Sequence, residues 1–83
     1  MKRRPRLTPH ARQRAGERSV SRRVIAAALK VGAVPRGHQL IYDLTAERFQ
    51  TRVGPENCRG LRVVTDRRSG RVVTVHWLMA DRS

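Results

Sequence analysis

Apolar residues recur with the spacing of helices in the first third of the chain and with the spacing of strands in the remainder. Leu7, Ala11 and Ala15 share one face of a helix, because residues four apart lie one turn apart. Thr8 followed by proline is a typical helix start, since threonine caps free backbone N–H groups and proline fits the first turn. This pattern predicts a first helix that begins at Pro9 and ends before a short link at residues 18–20.

The apolar positions after Ser21 keep helical spacing up to Val31. Ser21 is a second N-cap residue, and Val20 and Ile25 have the spacing of a hydrophobic staple. Gly32 then ends the helix. We therefore expect two short helices joined by a tight link.

Beyond Gly37 apolar and polar residues alternate, which is typical of half-buried strands. The predicted strands cover residues 38–43, 48–53, 61–66 and 71–79. The last two form a hairpin around a turn that ends in Ser69 and Gly70.

The last strand indicates which face of the sheet is covered. Its odd-numbered residues are expected in the core: Val73, Val75, Trp77 and Met79. Its even-numbered residues then lie on the other face: Val72, Thr74, His76 and Leu78. The prediction is an α+β domain over residues 7–80, with two N-terminal helices packed on one side of an antiparallel sheet of three or four strands. Residues 1–6 are expected to form a flexible basic arm.

Composition limits the size of the fold and indicates its partners. With 83 residues and 39% hydrophobic content, the chain has room for one small domain. Its formal net charge of +13 attracts polyanions, so the expected partner is nucleic acid or an acidic protein. No apolar run is long enough to suggest a membrane partner. Cys58 is the only cysteine, which excludes an internal disulfide and suits a reducing compartment such as the cytoplasm.

The sequence does not indicate metal-dependent chemistry. Its six acidic residues are scattered without a close pair, so a two-metal site is not predicted. The spacing of His10, His38, Cys58 and His76 matches no zinc pattern. We therefore expect neither a metal nor another cofactor.

Metal-independent RNA cleavage needs fewer groups, because the ribose 2′-OH is itself the nucleophile. His10 on the first helix and His76 on the last strand are the candidate acid and base, although both equally suit a structural role. Tyr42 is a third candidate, as a proton donor or a stacking ring. The candidate cations and RNA contacts are Arg14, Arg18, Arg22, Arg23, Arg62 and Arg71.

A motif that covers the first helix and the link after it resembles a family of small bacterial toxin-like proteins of unassigned function. The family pattern is H-A-x-x-R-M-x-E-R-G-[IV]-S, then a helix, then strands ending in V-x-T-V-[YF]. The matching residues here are His10, Ala11, Arg14, Glu17, Arg18, Val20 and Ser21, with Val-Val-Thr-Val at 72–75. The resemblance spans residues 7–78. The family is similar to the BrnT and RelE type toxins and to the barnase, EndoU and colicin-nuclease group of ribonucleases.

This resemblance implies a RelE-like or barnase-like fold and a metal-independent endoribonuclease toxin, restrained by an acidic antitoxin or immunity protein. Carried over by position, it favours His10, Arg14, Arg18 and Thr74 as the functional polar set. The chain departs from the family pattern in three places: Ala15 replaces methionine, Ser19 replaces glycine, and His76-Trp77 replaces the usual ending.

A competing interpretation is a non-catalytic nucleic-acid-binding module. The first two helices can be drawn as a helix-turn-helix in which Ser21, Arg22 and Arg23 open the recognition helix. Against this, the chain turns to strands where a third helix is usual. A third class is a protein-interaction element neutralised by an acidic partner, which is compatible with the ribonuclease.

Overall fold

The computed structural model describes residues 5–52 and 59–78. The elements follow the order α1 (Pro9–Glu17), α2 (Arg22–Ala28), β1 (Ala33–Arg36), β2 (Gln39–Leu44), α3 (Ala46–Arg52), β3 (Leu61–Asp66) and β4 (Val72–Trp77). The strands form one antiparallel sheet in the order β1-β2-β3-β4. The helices α1 and α2 pack on one face of this sheet, so the predicted α+β class is confirmed. None of the helices in the described ranges has the length and apolar character needed to cross a membrane.

The two N-terminal helices begin where the capping residues predict. The Thr8 hydroxyl accepts a hydrogen bond from the Ala11 N–H at 3.1 Å, and the Ser21 hydroxyl accepts one from the Val24 N–H at 3.3 Å. The helix α2 ends at Ala28, before the predicted end. The residues that follow it continue in tighter turns, which use N–H to C=O bonds three residues apart.

The link between α1 and α2 holds Ser19 in the left-handed region, with φ of 55°. The family pattern has glycine at this position, and a residue with a Cβ pays about 1 kcal/mol or more for that conformation. The Val20 N–H bonds to the Ala15 carbonyl at 2.8 Å, which closes the link. The interhelical turn therefore keeps the backbone shape that glycine favours.

The predicted strand at 48–53 is wrong, because α3 occupies Ala46–Arg52. The helix is capped by the Thr45 hydroxyl, which accepts from the Arg48 N–H at 3.4 Å. Phe49 is buried and its ring lies 6.1 Å from the Trp77 ring, so tertiary packing favours the helix over the local alternation. Residue 53 lies outside the described residues.

The strand β1 was not predicted, since only four residues form it. It pairs with β2 in an antiparallel hairpin, with Ala33 opposite Tyr42 and Arg36 opposite Gln39. Pro35 is exposed on this edge strand, where a missing N–H does not disturb the sheet. The sheet thus has four strands, the upper number expected.

The covered face of β4 follows the predicted alternation only in its second half. Val75 is buried and Trp77 packs against the core, as predicted. Val72 is buried and Val73 is only half-buried, the reverse of the expectation. The cause is a shift of register between β3 and β4, in which Thr65 pairs with Val72. An extra residue in one strand moves the side chains that precede it to the opposite face of the sheet. Met79 lies outside the described residues.

The outer edge of β4 is covered by the chain that precedes α1. The Val72 N–H donates to the Arg6 carbonyl at 2.7 Å, and the Val72 carbonyl accepts from the Thr8 N–H at 2.9 Å. Pro5 also accepts a hydrogen bond from Arg22, at 3.4 Å. A flexible arm was predicted over residues 1–6, and these contacts of Pro5 and Arg6 were not expected. Residues 1–4 lie outside the described ranges. The contacts occupy backbone groups that an edge strand otherwise presents to another chain.

Candidate nucleic-acid site at the edge and open face of the sheet

The face of the sheet opposite α1 and α2, here called the open face, carries a row of charged side chains. Asp43 on β2 pairs in register with Arg62 on β3, and Arg62 pairs with His76 on β4. Thr74 lies on the same face of β4 as His76, because residues two apart along a strand share a face. The predicted neighbours His76 and Thr74 therefore lie with Arg62 on the open face.

Arg62 is held by both oxygens of one carboxylate. Its Nε lies 2.7 Å from Asp43 Oδ1 and its Nη2 lies 2.8 Å from Oδ2. The hydrogen bond from Arg62 holds the pKa of Asp43 below its usual range, and Asp43 raises the pKa of Arg62. This bidentate pair fixes the plane of the guanidinium. Asp43 was not among the predicted site residues.

His76 is half-buried beside this pair. Burial lowers the pKa of the His76 imidazole, and the positive charges of Arg62 and then Arg18 lower it further, against the opposing charge of Asp43. The fold therefore favours the neutral ring. A neutral imidazole is the form that can accept a proton.

The lowered pKa of His76 predicts a pH dependence of stability. Between the ordinary pKa of about 6.5 and the lowered folded-state pKa, the unfolded chain binds more protons at this residue than the folded one. The free energy of unfolding should therefore fall as the pH falls below about 6.5. His76→Gln should lose this part of the dependence and keep the loss at more acidic pH that comes from Asp43, whose pKa is lowered. Urea unfolding at several pH values measures the free energy of unfolding of both proteins. The same pH dependence in the wild type and in His76→Gln would contradict the lowered pKa of His76.

The helix α1 runs beside β4 in the same direction. The N–H of Thr8 bonds to the Val72 carbonyl at the start of β4, and the indole N–H of Trp77 donates to the Arg18 carbonyl at 2.8 Å near its end. From Thr8 to Arg18 the chain rises about 15 Å, and from Val72 to Trp77 it extends about 16 Å. Residues 8–18 and β4 therefore have nearly the same length and lie side by side from end to end.

The two candidate histidines lie at different levels of this edge. His10 is exposed near the start of α1, while His76 lies near the end of β4. The same rises separate their backbone positions by about 10 Å along the edge. Proton transfer by two groups at one phosphate requires both within hydrogen-bond reach of it. His76 also lies on the open face, whereas His10 is exposed on a helix that packs on the other face. The sharing of one phosphate by His10 and His76 stays a prediction.

Arg18, which directly follows α1, lies beside His76. Its Nη1 donates to the Val75 carbonyl on the free edge of β4 at 3.2 Å, and its charge contributes to the lowered pKa of His76. Arg14, one turn earlier, has a carboxylate partner, since its Nη1 lies 3.1 Å from Glu17 Oε1. Of the two arginines in the motif, Arg18 is the cation placed at His76.

The remaining predicted residues lie elsewhere. Tyr42 belongs to the covered face of β2, where it is partly buried and packs against the core. Arg22, Arg23 and Arg71 are exposed, and they lie on α2 and at the start of β4. Tyr42 is therefore separated from the open-face row by the sheet itself.

One signal in the sequence points to Asp43. An acidic residue in β2 and a basic residue in β3 form a favourable pair when they lie opposite each other. The register that places them so joins two strands that are 16 residues apart in the chain, and no local pattern defines it. Sequence reasoning therefore found Arg62 and missed its partner.

A metal site is not formed by the described residues, among which no three His, Cys, Asp or Glu side chains are grouped closely enough to hold an ion. Cys58, one of the four residues weighed as zinc ligands, lies outside those ranges. Comparison of the chain with models of protein families, with curated proteins and with solved structures gave no match. Its function must therefore be argued from the chemistry of its own residues.

Proposed function

We propose that this protein is a metal-independent endoribonuclease that binds RNA along the β4 edge and the adjoining open face. The observation that carries the proposal is His76, a half-buried imidazole with a lowered pKa, set beside Arg18 and Arg62 in a chain of net charge +13. Perturbed titration of a histidine among arginines is a mark of functional sites. The charge excess supports RNA as the polyanion.

In the proposed reaction His76 accepts the proton of the ribose 2′-OH. The 2′-oxygen then bonds to the adjacent phosphorus, and the bond from phosphorus to the 5′-oxygen breaks. The leaving 5′-oxygen takes a proton from water, and the other product carries a 2′,3′-cyclic phosphate. Arg18 stabilises the negative charge that builds up on the phosphate oxygens, and Arg62 adds to that field while Asp43 holds its orientation.

This arrangement differs from the sharing of acid and base duty between His10 and His76. His10 lies about 10 Å further along the edge, on the helix, so His76 is the histidine that the proposal places at the reacting phosphate. Arg14 is the weaker candidate for the transition-state cation, because Glu17 shares its charge. Arg18 takes that role in the proposal.

A ribonuclease of this kind also needs an inhibitor in its own cell. An acidic antitoxin or immunity protein that covers the cationic surface is the proposed partner, since opposite charge gives fast and specific association. Affinity purification of the tagged chain from its host should recover a protein of net negative charge. Recovery of an unpartnered and harmless chain would contradict the toxin role.

The direct test is cleavage of a short single-stranded RNA in the presence of EDTA. The expected product is a fragment with a 2′,3′-cyclic phosphate, and the same strand with 2′-deoxyribose should stay intact, because it lacks the nucleophile. Cleavage of the deoxy strand, or an absolute requirement for magnesium, would refute the mechanism.

One observation favours a non-catalytic nucleic-acid-binding module as the second candidate. Arg62 already makes two short hydrogen bonds to Asp43, as in a purely structural cross-strand pair. Three N–H groups of Arg62 remain for a phosphate, so a module of this kind binds RNA with salt-dependent affinity and leaves it intact. The cleavage assay separates the two candidates.

A further inference from the structure

Four arginines converge on one surface depression, away from His76. The depression has a volume of about 330 Å³ and is lined by Pro5, Arg6, Leu7, Arg12, Arg22 and Arg71. These residues come from the segment before α1, from α1, from the start of α2 and from the start of β4. The fold therefore brings to one depression four arginine residues that are distant in sequence.

The charges of this arginine pocket are not neutralised by the described part of the protein. None of its four arginines forms an ion pair with a described carboxylate. Asp66, which lies in the hairpin beside Arg71, instead accepts a hydrogen bond from the Ser69 N–H. Like charges held close together without counter-charges repel, and the fold bears this cost unless an anion is bound.

Two of the four side chains are held in place by the protein. Arg6 donates to the Ser69 carbonyl at 3.3 Å, and Arg22 donates to the Pro5 carbonyl at 3.4 Å. Both bonds use one terminal nitrogen, so each guanidinium retains other N–H groups. Arg12 and Arg71 make no side-chain hydrogen bond within the described residues. The pocket thus combines two anchored cations with two that remain available.

We propose that this arginine pocket binds a backbone phosphate of RNA, as a second subsite apart from the phosphate at His76. Guanidinium groups match the geometry of phosphate oxygens with paired N–H donors, which makes arginine the residue of choice for such contacts. The inference rests on the RNA-binding part of the proposed function and is independent of cleavage.

The position of the pocket fits a strand that follows the β4 edge. Arg71 immediately precedes β4, and His76 lies five residues later, about 16 Å further along an extended chain. A bound strand that contacts both places is held at two points along its backbone. Phosphate contacts of this kind set the register of a nucleic acid on a protein without reading its bases.

The test measures affinity for a short RNA with 2′-O-methyl groups, which cannot be cleaved through its 2′-oxygens. Arg12→Gln/Arg71→Gln removes two pocket charges whose side chains make no protein hydrogen bonds. The matched control, Arg36→Gln/Arg48→Gln, removes two charges from exposed arginines outside the pocket. Fluorescence anisotropy at several salt concentrations gives the Kd and its salt dependence, and thermal unfolding checks that each variant is folded.

The pocket variant is expected to bind at least about tenfold more weakly than the control, because charge-assisted hydrogen bonds are lost. The slope of log affinity against log salt should also fall by about 1 for each phosphate contact removed. Arg12→Gln alone should show a smaller change in the same direction, and it serves if the double variant is unstable.

Equal affinities and equal salt slopes for the pocket variant and the control would overturn the inference. So would a pocket that binds inorganic phosphate in the wild type while RNA affinity is unchanged in the variant, since the site then belongs to a free anion. If the wild type binds RNA through the pocket and never cleaves it, the inference stands and the proposed enzymatic activity fails. The two proposals therefore fail separately.

Discussion

Replacement of His76 by alanine is expected to lower the rate of RNA cleavage by about 10²-fold or more, which is the usual contribution of general base catalysis. The imidazole has a lowered pKa because it is half-buried and lies near Arg62 and Arg18, so it is neutral and ready to accept the 2′-OH proton. The loss should appear in kcat rather than in binding, because the ring acts on the reaction itself. Single-turnover cleavage by the wild type and the variant measures it.

His10→Ala is the matched control, because it removes a histidine from the other end of the same edge and leaves His76 in place. This variant should retain most of the activity. The rate of the wild type should fall as the pH falls through the lowered pKa of His76, where the base becomes protonated. Full activity of His76→Ala would move the site along the edge, with Arg14 and Thr74 next to be tested.

Gly60→Ala is expected to lower the free energy of unfolding by about 1–3 kcal/mol, the usual cost of overpacking. A Cβ at this position meets the Leu44 carbonyl oxygen at 2.5 Å, the Leu78 side chain at 2.9 Å and the Ala46 N at 3.1 Å. Two of these neighbours are backbone atoms at the junction of β2 and α3, so they cannot turn aside. The Gly60 carbonyl also accepts the Leu78 N–H at 2.8 Å, which ties the position to the end of β4.

Gly16→Ala is the comparison for this prediction. A Cβ at Gly16 meets nothing within 4 Å, and the residue lies inside α1, where alanine stabilises a helix by about 1 kcal/mol relative to glycine. Urea unfolding should move the two midpoints in opposite directions. A Gly60→Ala midpoint equal to that of the wild type would contradict the prediction, because the backbone around residue 60 would then accommodate a Cβ at no cost in stability.

The features predicted correctly from the sequence depend on neighbouring residues. Thr8 and Ser21 cap their helices through contacts three residues away, and the hairpin of β3 and β4 closes through its own turn. The helix α3 depends on packing instead. The burial of Phe49 against Trp77 joins residues from distant parts of the chain, which local alternation does not report.

The same distinction applies to the candidate site. Alternation along β4 correctly placed His76 and Thr74 on one face, because the two-residue period of a strand is enough to assign side chains to a face. The distance of His10 from His76 depends on the direction in which α1 runs along β4. That direction is defined by two contacts, the hydrogen bond of Thr8 to Val72 and that of Arg18 to Val75. Both join residues far apart in the chain, so no local sequence pattern predicts them.

The docking of α1 on β4 has a consequence for the order of folding. The first helix packs on the last strand, so contacts of high sequence separation must form before the domain is complete. During synthesis α1 emerges early, yet it has no strand to cover until Val72–Trp77 has left the ribosome. A chain stalled before β4 therefore lacks both the surface on which α1 packs and the histidine beside Arg18. The proposed cleavage of RNA therefore requires that β4 has been synthesised.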